Sequence, residues 1–254
     1  MPTKMLAAAH TTYGHRPVHG NLNSTKLSSR APRSWRNNFL TITAKGSGLF
    51  TAVRQPGTPT LYGFSPTVLP KPMDWGTHVH VTGYWFLPPQ KWQPPEAWSR
   101  LLAAGPAPVY IGFGSIADPN PTKLMRTVLE AIQQATVRAI VVSGWSELQA
   151  NDPPDNVLLI DSPPHDWLFA QVAAAGHHGG SGTVVASLRA GLPTLMIPFL
   201  ADQPDWGQRV HALGAGPPPI LVARLSAIHL ARAMRQALND ETMRQLAQGI
   251  GTAI

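Results

Sequence analysis

The sequence predicts an α/β protein built on a doubly wound parallel sheet, and three observations carry that prediction. From residue 107 onward, short runs rich in β-formers alternate with amphipathic stretches of about ten residues, the pattern of strands joined by crossover helices. A glycine-rich run, His177-His178-Gly179-Gly180-Ser181-Gly182-Thr183, falls between a short apolar strand and a helical stretch. The remaining polar motifs also fall where strands end. In such a sheet the ligand crevice lies beyond the C-terminal ends of the strands.

The elements follow in order. Residues 79–86 alternate and are rich in β-formers, so they read as a strand. Pro88-Pro89 and Pro94-Pro95 make a stiff linker. Residues 96–104 can form a helix with Pro95 at its first turn. Residues 108–113 are a buried-strand run that ends in Gly112-Phe113-Gly114-Ser115. Asn120 caps a helix that has Pro121 at its first position and reaches about Ala135. Leu124, Val128, Leu129 and Ile132 give that helix its apolar stripe. Strands are expected at 138–142, 156–160, 172–176, 194–199 and 219–222. Helical segments are expected at 166–170, 183–190, 204–213 and 226–239.

Composition narrows the possibilities. The chain has 254 residues, 43% of them hydrophobic, which suffices for a real core. There is no cysteine, so disulfides and thiolate metal sites are out of reach. The apolar runs are strand-sized, so no transmembrane helix is expected, and the start lacks the apolar core of a secretory signal; a cytoplasmic location is the expectation. The net charge of +7 is uneven. Residues 1–73 hold nine Lys/Arg and no acid, while the rest is slightly acidic. Residues 1–58 show no sustained periodicity and are expected to be a basic, poorly structured segment. A nucleic-acid or membrane arm and an organelle transit peptide are the other readings of such a start. No nucleic-acid partner is expected for the body of the chain.

The 177–183 run is the chemically specific motif. Glycines before a helix expose backbone N–H groups at the positive end of the helix dipole, which suits phosphate. The hydroxyls of Ser181 and Thr183 add donors. Two adjacent histidines could suggest zinc, but strand neighbours point to opposite faces and no third ligand sits at a sensible spacing, so no metal is expected. Ser115, at the end of a second glycine turn, offers another hydroxyl to phosphate. That turn is no dinucleotide fingerprint, because its third glycine and the downstream acid are missing. Asp202-Gln203 follows the 194–199 strand just ahead of Pro204. A carboxylate and a carboxamide can hold sugar hydroxyls; the competing reading is a helix cap. Phosphate plus sugar points to a nucleotide-sugar donor.

With these residues in place, the chain resembles the inverting, UDP-sugar-using glycosyltransferases of the GT-B fold, which have two Rossmann-like domains. It is most similar to the sterol-glucosyltransferase-like branch, through His177–Thr183, through Pro198-Phe199…Asp202-Gln203-Pro204…Trp206-Gly207, and less specifically through residues 59–86. The resemblance covers about residues 59–245. It implies three parts: a divergent segment 1–58, an interdomain stretch and linker 59–106, and a Rossmann-like donor-binding domain 107–254, the C-terminal half of a GT-B fold. It implies that a histidine of the pair, with the backbone of Gly179, Gly180, Ser181, Gly182 and Thr183, holds the donor diphosphate. It assigns the hexose to Asp202 and Gln203. The segment around Ser162, Pro164 and His165 matches the one that holds the uracil. Plant members stack a tryptophan there; here Ser162 stands in its place, and Trp145 is the substitute candidate. Trp167 and Trp206 are expected to pack.

The expected activity is transfer of a hexose, glucose from UDP-glucose, to a lipophilic alcohol such as a sterol, with no cofactor beyond the donor. Such transfer needs a base to take the acceptor's proton. In the family that base and the acceptor pocket belong to an N-terminal Rossmann domain, which does not fit ahead of residue 59. The catalytic residues are therefore unassigned. The chain alone is expected to be a weak or inactive transferase, completed by a companion domain or chain. The alternative is a module that binds a nucleotide sugar without transferring it.

Overall fold

The structure is a computed structural model, which describes residues 59–88, 92–114, 116, 118–142, 153–161 and 163–254. The basic segment 1–58 lies outside the described residues, as do Ser115, Trp145 and Ser162. The described residues divide into two compact units, with the chain passing from one to the other between Trp85 and Phe86, inside the stretch expected to be one linker region.

The smaller unit holds two short parallel strands, β1 (Thr60–Tyr62) and β2 (Val79–Val81), with Thr60 opposite Val79. Tyr62 stacks on Trp75 at 4.5 Å between ring centres, and Phe64 packs against both rings. β2 is shorter than the 79–86 run that alternation predicts. Thr82 still donates its N–H to the Tyr62 carbonyl, but Gly83 then takes φ +82°, which ends an extended strand.

The larger unit begins with α1 (Glu96–Ala103) and β3 (Val109–Gly112), followed by α2 (Pro121–Ala135), β4 (Ala139–Val142) and β5 (Val157–Ile160). Next come the single turn α3 (His165–Leu168), β6 (Ala174–His177), α4 (Ser181–Arg189), β7 (Thr194–Met196), α5 (Gln203–Ala212), α6 (Ala227–Asn239) and α7 (Glu241–Ala253). All five strands of the sheet are parallel, in the order β5-β4-β3-β6-β7. The chain runs outward from β3 through β4 and β5, then returns to the other side of β3 as β6. The switch point is therefore the gap between the C-terminal ends of β3 and β6.

Both faces of the sheet are covered, so its central strands β3 and β4 are apolar and buried throughout rather than alternating with polar residues. Val109 and Ile111 enter a core built from α2 and α6, with Leu124, Val128, Ile132, Leu230 and Met234. Tyr110 points the other way, into a core with Leu168, Phe169, Val172 and Leu192. Asn120 caps α2 by accepting the Lys123 N–H at 3.0 Å, and Pro121 costs nothing at the first turn because its missing N–H has no partner there anyway.

Two elements differ from the sequence expectation. The 219–222 strand is absent; a 3-10 turn covers Val222–Arg224 instead. Ile220 and Val222 do donate to the carbonyls of Met196 and Pro198, 2.9 Å each, which is one side of a parallel ladder. The return bonds fail. Pro198 has no N–H, and the Leu200 N–H is taken by Gln203 Oε1 at 3.1 Å. Helix α7 was not foreseen. Asp240 ends α6 and caps α7 by accepting the Met243 N–H, so two helices abut at one residue.

Candidate functional site

β6 ends at His177, and the chain then turns through Gly179, at φ +97°, into the first turn of α4. This puts the two histidines in opposite situations. His177 is fully buried. Its Nδ1 accepts the Gly179 N–H at 3.1 Å, and its Nε2 lies 3.3 Å from Ser187 Oγ. Burial first, then its neighbours His178 and His165, hold its pKa well below the ordinary histidine range. Both ring nitrogens are engaged inside the protein, so of the pair expected to meet a ligand, His177 has none left to offer.

His178 is 9% exposed, and its Nδ1 is buried without a partner among the described residues. Burial, reinforced by His165 and opposed by Asp202, brings its pKa down to about 4. Two glycines make room for the ring. A Cβ on Gly114 would lie 2.9 Å from His178 Cε1, and one on Gly180 would lie 2.5 Å from Nε2. Gly114 also sits at φ +61°, which glycine adopts without penalty. The glycine turn after β3 and the one after β6 thus close on a single imidazole at the switch point.

Gly180 is the N-cap of α4 and supplies no side-chain cap. The Thr183 and Val184 N–H groups both donate to its carbonyl at 3.0 Å. Among the described residues the N–H groups of Ser181 and Gly182 have no acceptor, and nothing stands within 4 Å of where a Gly182 Cβ would be. Ser181 and Thr183 are half-buried beside this opening. The arrangement can hold an anion on backbone donors, with the imidazole alongside.

The Asp202-Gln203 motif joins the same crevice, because a Cβ on Gly179 would lie 3.3 Å from Gln203 Cβ. Gln203 is buried and its Oε1 accepts from Phe199 N–H at 2.8 Å and from Leu200 N–H at 3.1 Å. Its oxygen therefore folds the loop, and its Nε2 remains to donate elsewhere. That loop forces Ala201 to φ +57°, a costly conformation for a residue with a Cβ. Asp202 follows at the N-cap position of α5 yet makes no side-chain cap. Its Oδ2 instead accepts the Trp206 indole N–H at 3.0 Å, which fixes the carboxylate and leaves the other oxygen free of that contact. Trp206, expected only to pack, has this positioning contact as well.

In the segment expected near the nucleoside, Pro164 precedes α3 and His165 begins it. The His165 ring stacks on Phe169 at 4.7 Å and meets Tyr110 edge-on. Trp167 packs with Trp92 and Trp98, as a structural residue would. Sequence reasoning missed Ser187 and Thr194, which are fully buried and tie His177 in place. A serine inside an apolar helix stripe is the faint signal it could have used.

The parallel sheet, with a glycine turn, an open helix N-terminus and a fixed carboxylate at its switch point, has the GT-B fold. Solved glycosyltransferases share the fold. The kitacinnamycin glycotransferase superposes with a TM-score of 0.67 over 87% of this chain and 55% of that one, at 19% identity. UGT89C1 of Arabidopsis thaliana gives 0.60 over 76% and 51%, at 20% identity. The family described as Erythromycin biosynthesis protein CIII-like, C-terminal domain, matches residues 116–252, more than half of the chain, and the chain belongs to it. Among curated proteins, a sterol 3-beta-glucosyltransferase of Penicillium rubens is 42% identical over 234 residues, covering 87% of this chain and 16% of that protein. One from Arabidopsis thaliana, UGT80B1, is 44% identical over 193 residues, covering 75% and 31%. The chain thus spans between about a sixth and a third of the length of these relatives.

Proposed function

We propose that this chain is the donor-binding half of a sterol-type glucosyltransferase, holding UDP-glucose for transfer of the hexose to a lipophilic alcohol such as a sterol. One observation carries the reading: at the switch point, the imidazole of His178, whose Nδ1 has no partner among the described residues, stands beside the N-terminus of α4, which has no side-chain cap. The names of the relatives supply the glucosyl group and the acceptor class, and the resemblance supplies UDP. In this reading the Ser181 and Gly182 N–H groups and His178 receive the diphosphate, and Asp202 with Gln203 Nε2 receives sugar hydroxyls. Pro164 and His165 flank the base; Trp145 and Ser162 for the base, and Ser115 for the diphosphate, are further candidates outside the described residues. Bound diphosphate reverses the balance on His178 and favours the imidazolium. Helix dipole and imidazole together neutralise the leaving group, so the reading invokes no metal and no cofactor. The acceptor's proton needs a base, and none of the residues gathered here is assigned that role; a companion N-terminal domain supplies it.

Titration calorimetry with UDP and UDP-glucose tests the reading. The chain has one wall of a two-walled cleft, so a Kd on the order of 0.1–1 mM is expected. His178→Ala should weaken both ligands by about 10- to 100-fold, the worth of a charge-assisted hydrogen bond. No heat at several millimolar UDP, or an unaffected His178→Ala variant, refutes it. Incubation with UDP-glucose and a panel of sterols, followed by mass spectrometry, tests transfer; the chain alone should form little or no glucoside.

A further inference from the structure

We propose that Ser187 and Thr194 are positioning residues for the donor turn, acting through His177 as a buried hydrogen-bond relay that fixes which face of the turn carries free N–H groups. The proposal deepens the donor-site reading above and rests on it for its binding arm.

The relay follows from proton accounting. Gly179 N–H donates to His177 Nδ1, so Nδ1 carries no proton. The ring is buried and neutral, so its one proton sits on Nε2. Across 3.3 Å, Nε2–H then donates to Ser187 Oγ. Ser187 Oγ–H donates to the Val184 carbonyl at 3.0 Å, which orients both its lone pairs toward His177 and Thr194. Thr194 Oγ1 lies 3.1 Å from Ser187 Oγ and 2.9 Å from the Leu192 carbonyl, closing the far end on β7. All three side chains have no exposed surface. Thr194 has one hydroxyl proton for its two neighbours, Ser187 Oγ and the Leu192 carbonyl, while the Gly179 N–H and the neutral ring leave His177 a single tautomer.

The consequence lies at the site. The bond to Nδ1 pulls the Gly179 amide inward, and Gly179 takes φ +97°. The next residues then leave in the opposite direction, so that Ser181 and Gly182 N–H face the opening and Gly180 sits against His178. With the other tautomer, Nδ1–H would oppose Gly179 N–H, two donors against each other. The turn would rotate and the donors at the helix start would scatter. Ser187 and Thr194 touch no ligand in this scheme; they hold the ring that holds the turn.

The first test needs no substitution. Nitrogen-15 spectra of histidine-labelled protein should show His177 in the Nε2–H tautomer, unchanged by pH from 5 to 8; an Nδ1–H tautomer or a titrating ring overturns the relay. The second is a set of variants with UDP Kd and Tm measured on the same samples. His177→Asn keeps an acceptor for the N–H two residues on, and should hold UDP within about threefold of the parent. His177→Leu fills the space without an acceptor and should lose more than tenfold. Ser187→Ala should lose about fivefold in the parent and nothing further in the His177→Asn background, because the relay is already bypassed. Equal losses in His177→Asn and His177→Leu, tracking Tm, would show that His177 only packs and overturn the proposal. If the parent itself binds no UDP, the donor reading fails, and the tautomer measurement still decides the relay.

Discussion

The two rims of the sheet are built from the same strands and treat their polar groups in opposite ways. At the N-terminal rim the donors are spent inside the protein. Val109 N–H donates to the Arg138 carbonyl, and Ala173 N–H to that of Pro108, both at 2.9 Å. Arg138 Nη1 reaches the Pro106 carbonyl, Asn156 Nδ2 that of Val137, and Arg235 Nη1 that of Gln134. At the C-terminal rim, among the described residues, an imidazole nitrogen is buried without a partner, a helix starts without a side-chain cap and an alanine is held at positive φ. Unsatisfied polar groups and strain cost stability, so they accumulate where a ligand repays them. The difference agrees with placing the proposed donor site at the C-terminal rim.

Four perturbations would break or sharpen this comparison. The largest effect belongs to Gly180→Ala. The backbone there, φ −59° and ψ 134°, suits alanine, so the only conflict is the Cβ against His178 Nε2. UDP binding should fall about 100-fold with Tm within about 3 °C, roughly 1 kcal/mol for a domain of this size. In a His178→Ala background the same change should be silent, and calorimetry on the four proteins checks both statements.

Acid should act next. His178 has its pKa lowered from 6.5 to about 4 in the folded protein, so the native state resists a proton that the unfolded chain accepts. That contribution is complete above pH 6.5 and is lost as pH falls toward 4, about 3 kcal/mol in all. His177, shifted in the same direction, adds to the loss. Scanning calorimetry from pH 7.5 to 4.5 should show Tm dropping more steeply for the parent than for His178→Ala; parallel curves would mean the ring is not the source.

Asp202→Ala should weaken UDP-glucose about tenfold, near 1.4 kcal/mol, and UDP less than twofold. Asp202→Asn keeps an acceptor for the Trp206 indole and should recover part of the loss. Equal weakening of both ligands would assign Asp202 to the loop rather than to the sugar. The smallest effect on binding is expected on the other rim. Arg138→Ala removes the bond to the Pro106 carbonyl and should cost about 0.5–1.5 kcal/mol of stability. UDP affinity should stay within twofold, and a larger change would couple the rims.

The sequence carried the alternation of strands and helices because the inner strands of the five-stranded sheet are buried on both faces and the long helices packed on it have an apolar stripe. It carried the crevice because the glycine turns, the histidines and Asp202-Gln203 all follow strands. It could not separate His177 from His178. Alternation says that neighbours diverge, but only the packed sheet decides which of them faces Ser187. Nor could it see that Pro198 and Gln203 together cancel a strand at 219–222, since the failed bonds belong to partners some twenty residues away. Helix α7 was legible in principle. Asp240 precedes Met243, Ala247 and Ile250, a cap followed by one apolar face, but a helix starting where another stops leaves no loop to announce it.

The half-ladder beside β7 has a meaning for life in a crowded solution. An edge strand invites another chain to pair with it, which is how many folded proteins begin to aggregate. Here the segment at Ile220 and Val222 already occupies the carbonyls of Met196 and Pro198, and proline has nothing to offer an intruder. The loop that shapes the ligand crevice thus also seals that margin of the sheet against self-association.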